Sequence, residues 1–319
     1  MLALLKLLAD GRFHSGEVLG QALGVSRSAV WKQLQQLEAQ YQVEVHKVRG
    51  RGYRLAAPLS LLDEGALRPT IEAQGIALEL HAEIGSTNAQ ALKLVTERRN
   101  QPCLVLAESQ SAGRGRRGRQ WVSPFGVNLY YSLALPIEGG MHRIEGLSLV
   151  VGLAVQAALL EAGVNNAALK WPNDVLVGGR KIAGILLEMV GDPADLCHVV
   201  LGIGINVNMK LAPEVDQAWT SLQLCKGAMV DRNALVLALT QQLWAYLEKH
   251  RLQGFTALRG EWERNHAWQG REVTVHAGVH QTSGTVLGID DHGALRLHVD
   301  GQERVFNGGE LSLRLRDDS

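Results

Sequence analysis

Gln110-Ser-Ala-Gly-Arg-Gly-Arg-Arg-Gly-Arg-Gln-Trp121 places four arginines and three glycines in twelve residues. Standing alone, such a tract suits a disordered, nucleic-acid-binding arm. Its flanks argue otherwise. The apolar run Cys103–Ala107 precedes it and Val127–Leu135 follows, both of strand character, so the tract reads as a loop inside a folded layer.

Outward from this loop, candidate strands are Ala77–His81, Ala167–Trp171, Lys181–Val190 and His198–Val207. Candidate helices are Asn88–Arg99, Arg143–Ala162, Asp231–His250 and Phe255–Asn265. Several strands follow one another directly, so the fold class expected is α+β, a central mixed α/β sheet, rather than a doubly wound layer. Beyond about residue 268 only short strands remain: Val273–Val279, Thr285–Ile289, Leu295–Val299 and Arg304–Phe306. Turns at Asp290-Asp-His-Gly293 and Asn307-Gly-Gly309 punctuate them, which predicts a small β-barrel module.

The first sixty residues read differently. Leu2, Leu5 and Leu8 recur at helical spacing up to Gly11, and Ser15–Leu23 forms a second segment closed by Gly24. Ser26 then caps a third, in which Val30, Leu34, Leu37 and Tyr41 form one apolar stripe. Arg27, Ser28, Trp31, Lys32 and Gln35 occupy the opposite face. Val43–Val48 and Tyr53–Leu55 flank the basic turn Arg49-Gly-Arg-Gly52, giving a hairpin. Helices plus a basic hairpin make a winged helix-turn-helix, with Ser26, Arg27, Ser28, Trp31, Lys32, Gln35, Arg49 and Arg51 as candidate DNA contacts. A small protein-interaction bundle with an incidental basic surface is the bland alternative. Pro58 marks the linker, and boundaries are set at 1–60, 61–267 and 268–319.

Composition sharpens the division. The 319 residues suffice for two or three domains, and 32 basic groups balance 32 acidic ones. Residues 1–57 nevertheless carry eight Lys/Arg against four acids, a net +4, which leaves −4 on the rest. Cys103, Cys197 and Cys225 are odd in number and far apart, which fits a reducing cytoplasm rather than a disulfide framework. The apolar start is broken by Lys6 and Asp10 and lacks a small-residue cleavage site, so a signal peptide is not expected. Leu147–Leu160 is too short for a membrane span and reads as a buried helix. Sequences of the form GxxxxGK[ST], GxSxG and HExxH are missing, which removes P-loop NTPases, α/β-hydrolases and zincins. Gly202-Ile-Gly-Ile-Asn-Val-Asn208 lacks the third glycine of a dinucleotide fingerprint. His276 and His280, placed on one exposed strand face, are not expected to hold a metal, and no metal ligands are assigned.

Interleaved glycines let a backbone approach an anion, while guanidinium forks match carboxylate and phosphate oxygens. Two unit charges about 4 Å apart repel by about 4 kcal/mol at an effective dielectric of 20, so a site joining two anions needs clustered cations. Leu169-Lys-Trp-Pro-Asn-Asp174 offers a fixed ammonium at a strand end, though it equally suits an ordinary surface turn. Gly85-Ser-Thr-Asn88 can clasp a polar ligand or simply cap a helix.

Taken together, Gly113–Arg119, Lys170-Trp-Pro-Asn-Asp174, Ser86-Thr-Asn88 and Lys181-Ile-Ala-Gly-Ile-Leu186 resemble the bifunctional biotin–protein ligases that also repress the bacterial biotin operon. The resemblance spans essentially the whole chain and implies an SH3-like C-terminal barrel. It implies that biotin and ATP with Mg²⁺ give biotinyl-5′-adenylate, and that biotin then passes to a lysine of the biotin carboxyl carrier protein of acetyl-CoA carboxylase. Ser86, Thr87, Asn88, Gln110, Gly113, Arg114, Gly115, Arg116 and Lys170 would bind biotin. Lys170 and Arg116 would act in catalysis, Lys170 against the carboxylate and α-phosphate. Arg116, Arg117, Arg119, Asn173, Asn206 and Trp219 would bind ATP or adenylate, with Asp174 lining the site. The resemblance further implies a cytoplasmic protein that dimerises when adenylate-bound and seats two heads on operator DNA. A lipoate ligase, a biotin-sensing repressor without catalysis, and a ligase whose head has lost DNA binding are the rival readings.

Overall fold

The computed structural model describes residues 2–97, 101–138, 143–191, 196–308 and 311–316. The head comprises α1 (Leu2–Leu8), α2 (Gly16–Leu23), α3 (Arg27–Tyr41), β1 (Val45–Val48) and β2 (Gly52–Leu55). Ser15 and Ser26 cap α2 and α3, their hydroxyls accepting from Val18 N and Ala29 N at 3.1 and 3.2 Å. Leu4, Leu5, Leu8, Leu19, Val30, Leu34 and Leu37 are the buried stripe that stabilises these short helices by packing rather than by propensity. The apolar start is thus an ordinary core helix.

The body follows with α4 (Glu64–Glu72), β3 (Ala77–His81), α5 (Thr87–Glu97), β4 (Cys103–Ala107), β5 (Leu129–Glu138) and α6 (Leu147–Glu161). Next come β6 (Ala167–Lys170), β7 (Asp174–Val177), β8 (Arg180–Gly191), β9 (Leu196–Ile205), α7 (Leu222–Lys226), α8 (Arg232–Gln253) and α9 (Thr256–Arg264). Seven strands form one mixed sheet in the order β3-β4-β5-β9-β8-β7-β6. Only β3 and β4 are parallel, joined by α5; the other neighbours are antiparallel. α6 is buried along almost its whole length, packing on β6, β7 and β8 and against α8, which explains its unbroken hydrophobicity. No helix among the described residues is long and apolar enough to cross a membrane.

The tail is a five-stranded antiparallel sheet, β10 (Glu272–Ala277), β11 (His280–Ile289), β12 (Leu295–Val299), β13 (Gln302–Phe306) and β14 (Leu311–Leu315), in the order β13-β12-β11-β10-β14. Several expectations are corrected. The strand expected over Val273–Val279 stops at Ala277, because Gly278 (φ 61) starts a tight turn. His276 and His280 therefore lie on different strands, and Val279 is fully out in solvent. The helix expected from Arg143 begins at Leu147, since Gly146 takes φ 66 before it. α4, β7 and β14 go beyond the sequence reading. Pro69 inside α4 hides its pattern, while β7 opens on a charged residue. The expected end of α5 at residues 98 and 99, and Gly309 of the last turn, lie outside the described residues.

Candidate functional site

Where β3 gives way to α5, Ser86, Thr87 and Asn88 are all buried. The Thr87 backbone N–H and hydroxyl both donate to Gln110 Oε1, at 2.9 and 3.1 Å. Ser132 Oγ of β5, which no sequence pattern singles out, donates to Thr87 Oγ1 at 2.8 Å and also stands against Asn88 Oδ1. Asn88 Nδ2 donates to Glu188 Oε2 at 2.8 Å. Ser86, Thr87, Asn88 and Gln110, with Gly202 and Gly204 of β9, line a concave pocket. The glycines make the room: a Cβ on Gly202 would meet Asn88 Oδ1 at 2.2 Å, and one on Gly204 would meet Trp121 at 2.4 Å.

The arginine loop is a narrow hairpin over this pocket. Gly115 N donates to Arg119 O at 2.7 Å and Trp121 N to Gly113 O at 3.0 Å. A Cβ on Gly113 would lie 2.4 Å from Trp121 O, so this glycine serves the loop's own closure. Arg117 adopts φ 59, a conformation rare outside glycine. Arg114 Nη2 pairs with Glu188 Oε2 at 2.9 Å. Arg116 reaches Asn173 Oδ1 at 2.9 Å and the carbonyls of Gly308 and Leu311, so the tail sheet holds the loop. Arg117 donates to Ser312 Oγ at 3.1 Å.

Of the residues expected to bind biotin, Ser86, Thr87, Asn88, Gln110, Arg114, Gly115 and Arg116 line the pocket together, and Gly113 borders the adjoining cleft under the loop. Lys170 does not. It lines a neighbouring cationic groove with Arg117, Arg119, Asn173, Asp174 and Arg314, its ammonium 4.7 Å from the Trp268 ring centroid. Burial pushes the Lys170 ammonium below the ordinary lysine range; Asp174 opposes this, and Lys181, Arg314 and Arg119 add to it. Asn206 and Trp219 line a third cavity, with Arg119 and Met209. The lysine that the sequence reading leaves out of the site is Lys181. It borders the pocket, the groove and this cavity, with Nζ 2.7 Å from Asp174 Oδ1 and 5.3 Å from the Trp121 ring centroid. Its place at the start of the Lys181–Leu186 motif is the signal that could have found it.

On the head, Arg27, Ser28, Trp31, Lys32 and Gln35 are arrayed along α3, and Arg49 and Arg51 are exposed in the hairpin turn. Ser26 serves as the cap. Trp31 is 42% exposed, a large apolar group on an otherwise polar face.

Comparison with known proteins accounts for all three parts. Residues 1–54 match an HTH domain, 82–206 the Biotin/lipoate A/B protein ligase family, and 270–314 the Biotin protein ligase C terminal domain. The bifunctional ligase/repressor BirA of Salmonella typhimurium is 41% identical over 98% of this chain and 97% of its own length. The chain belongs to the biotin protein ligase family. The bifunctional ligase/repressor BirA of Bacillus subtilis is 33% identical to it over 94% of both chains. Among solved structures, the biotin protein ligase from Aquifex aeolicus in complex with biotin and ATP gives a TM-score of 0.65 at 28% identity, covering 75% of this chain and 99% of that one. The chain thus joins a biotin ligase to a helix-turn-helix head, as the bifunctional ligase/repressors do.

Proposed function

We propose that the pocket beneath the arginine loop takes the biotin ring system, with its carboxylate directed at Lys181 and Arg116, and that the cationic groove takes the phosphates of ATP. The observation that carries this is the junction itself: Gly115, Arg116, Trp121, Asn173 and Lys181 border both pocket and groove. A carboxylate oxygen attacks the α-phosphorus, the bond to the β-phosphate oxygen breaks, and pyrophosphate leaves. Clustered cations offset the charge that gathers there. Lys181 takes the role expected of Lys170, since Lys181 and not Lys170 borders the pocket; Lys170, Arg117 and Arg119 serve the phosphates. Asn206 and Trp219 flank the adenine. Asp174 and Asp216 border the groove, a chemistry that fits Mg²⁺ carried in on ATP.

In the second half-reaction a lysine amine of the biotin carboxyl carrier protein attacks the acyl carbon of biotinyl-5′-adenylate and AMP leaves. The loop closes over the mixed anhydride and keeps water from it. The adenylate-bound chain forms a homodimer, so that two heads meet two half-sites of operator DNA through α3 and the β1–β2 hairpin. We place the working protein in the cytoplasm and keep the boundaries 1–60, 61–267 and 268–319.

A pyrophosphate-release assay tests the ligase assignment. Biotin-dependent release of about one equivalent, becoming catalytic on adding apo carrier protein, is expected. Tight biotin binding without release would leave a biotin-sensing repressor.

A further inference from the structure

Outside the head, Arg68, Arg114, Arg232, Arg251, Arg259 and Arg296 each stand within ion-pair distance of a carboxylate. The head shows the opposite. Among the described residues the guanidinium groups of Arg12, Arg49, Arg51 and Arg54 reach no carboxylate, while three of the head's four acids are occupied elsewhere. Asp10 lies 3.0 Å from His14, Glu44 lies 3.6 Å from His46, and Glu38 accepts from Val45 N at 3.1 Å.

Two of these unpaired arginines are held in place. Arg51 Cζ lies 4.5 Å and Arg54 Cζ 5.1 Å from the ring centroid of the same residue, Phe13. An aromatic face attracts each guanidinium, so one ring keeps two like charges near each other without a counter-ion. Phe13 is itself anchored. The next residue, His14, exchanges two backbone hydrogen bonds of 2.8 Å with Tyr53 of β2. That approach requires Gly52, whose φ is 102 and whose Cβ would lie 2.0 Å from His14 O. Arg54 Nε is buried without a partner. The sequence alone places Arg49 and Arg51 on DNA and leaves out Arg54 and Phe13.

Positioned, unpaired guanidinium groups on one platform suit an anion with several oxygens. The hairpin follows directly on α3, whose polar face carries the candidate base contacts, so the anion of choice is the DNA backbone. We propose that Phe13, Arg51 and Arg54 form a phosphodiester clamp along the second strand and turn of the hairpin, fixing the head's register on duplex DNA without reading bases. This rests on the DNA-binding reading above.

The test uses the full chain with biotin and ATP, titrated by fluorescence anisotropy onto a duplex from its biotin operon region and onto a scrambled duplex, at about 50–200 mM salt. Arg54→Gln is expected to weaken both duplexes by the same factor, about fivefold, and to lower the salt slope by about one. Phe13→Leu should weaken both about three- to tenfold, Phe13→Tyr should restore binding, and pyrophosphate release should stay unchanged in all three. Arg54→Gln carries the readout should Phe13→Leu unfold the head. Wild-type binding and slope in both Arg54→Gln and Phe13→Leu would overturn the clamp while leaving DNA binding intact, as would a loss confined to the operon duplex. A wild-type chain that binds neither duplex would instead refute the DNA-binding reading, and the clamp with it.

Discussion

Lys181 Nζ lies 5.3 Å from the ring centroid of Trp121, and both residues border the pocket, the cationic groove and the cavity that holds Asn206 and Trp219. A carboxylate entering from the pocket and phosphates entering from the groove meet at this pair. Lys181→Ala is therefore expected to lower the rate of biotin-dependent pyrophosphate release by about 10²–10³-fold at saturating substrates, the usual size for one electrostatic donor. Lys170→Ala, 3.9 Å from Asp174 in the groove, should cost less and act mainly on the KM for ATP. The reverse order in a steady-state comparison would return the carboxylate to Lys170.

Gly204 leaves the space that Trp121 fills, since a Cβ there would come within 2.4 Å of the indole. Gly204→Ala forces the indole outward and with it the end of the arginine loop, while the strand around it keeps its ladder. Biotin affinity by calorimetry should drop by about tenfold or more, and bound adenylate should dissociate faster. Unchanged affinity would mean that Trp121 does not order the pocket.

What can be read in the chain is what lies close together along it. The arginine loop, the Ser86–Asn88 corner and the head's capped helices are local patterns, and each stands where its sequence puts it. The choice between Lys170 and Lys181 is not local. The pairing of β7 with β8 slips between Val175 and Leu176, so that Asp174 faces Gly184 while Leu176 faces Lys181. Such a bulge re-aims side chains, and here it brings Lys181 and Gly184 to the same pocket wall. No periodicity announces a one-residue slip, because it depends on the partner strand. Ser132 stays hidden for a similar reason: an isolated serine in an apolar strand has meaning only once α5 lies across it.

Burial fixes a pH response in His266, which is 6% exposed, has neither ring nitrogen partnered, and stacks 4.7 Å from Trp262. Desolvation pushes its pKa down to about 4. The unfolded chain takes up a proton near pH 6.5 that the folded chain refuses, so the unfolded state binds more protons between those values. The contribution is complete above about pH 6.5 and is lost as pH falls toward 4. It amounts to about 3 kcal/mol, from roughly 1.4 kcal/mol for each pH unit separating the folded and unfolded values. His266→Phe keeps the stacked ring and should flatten urea stability over that window relative to the wild type. Parallel curves for the two proteins would show that the imidazole is protonated in place.

Arg232 has no exposure, and its guanidinium gathers Ser60 O at 2.7 Å, Asn128 O at 2.8 Å and the Glu108 carboxylate. Glu108 Oε1 in turn accepts from Leu62 N at 2.6 Å, so one buried ion pair fastens the linker after the head to β5 and α8. Removing one partner of such a pair leaves the other charged and dry, which costs about 3–5 kcal/mol, whereas apolar replacement of both is often neutral. Arg232→Met is thus expected to lower the stability of the catalytic domain by that amount in urea unfolding followed by tryptophan fluorescence. Glu108→Leu combined with Arg232→Met should recover part of the loss, though the N–H of Leu62 then lacks its acceptor. A single-variant loss below about 1 kcal/mol would mean that water reaches Glu108 and that the pair does not hold the linker.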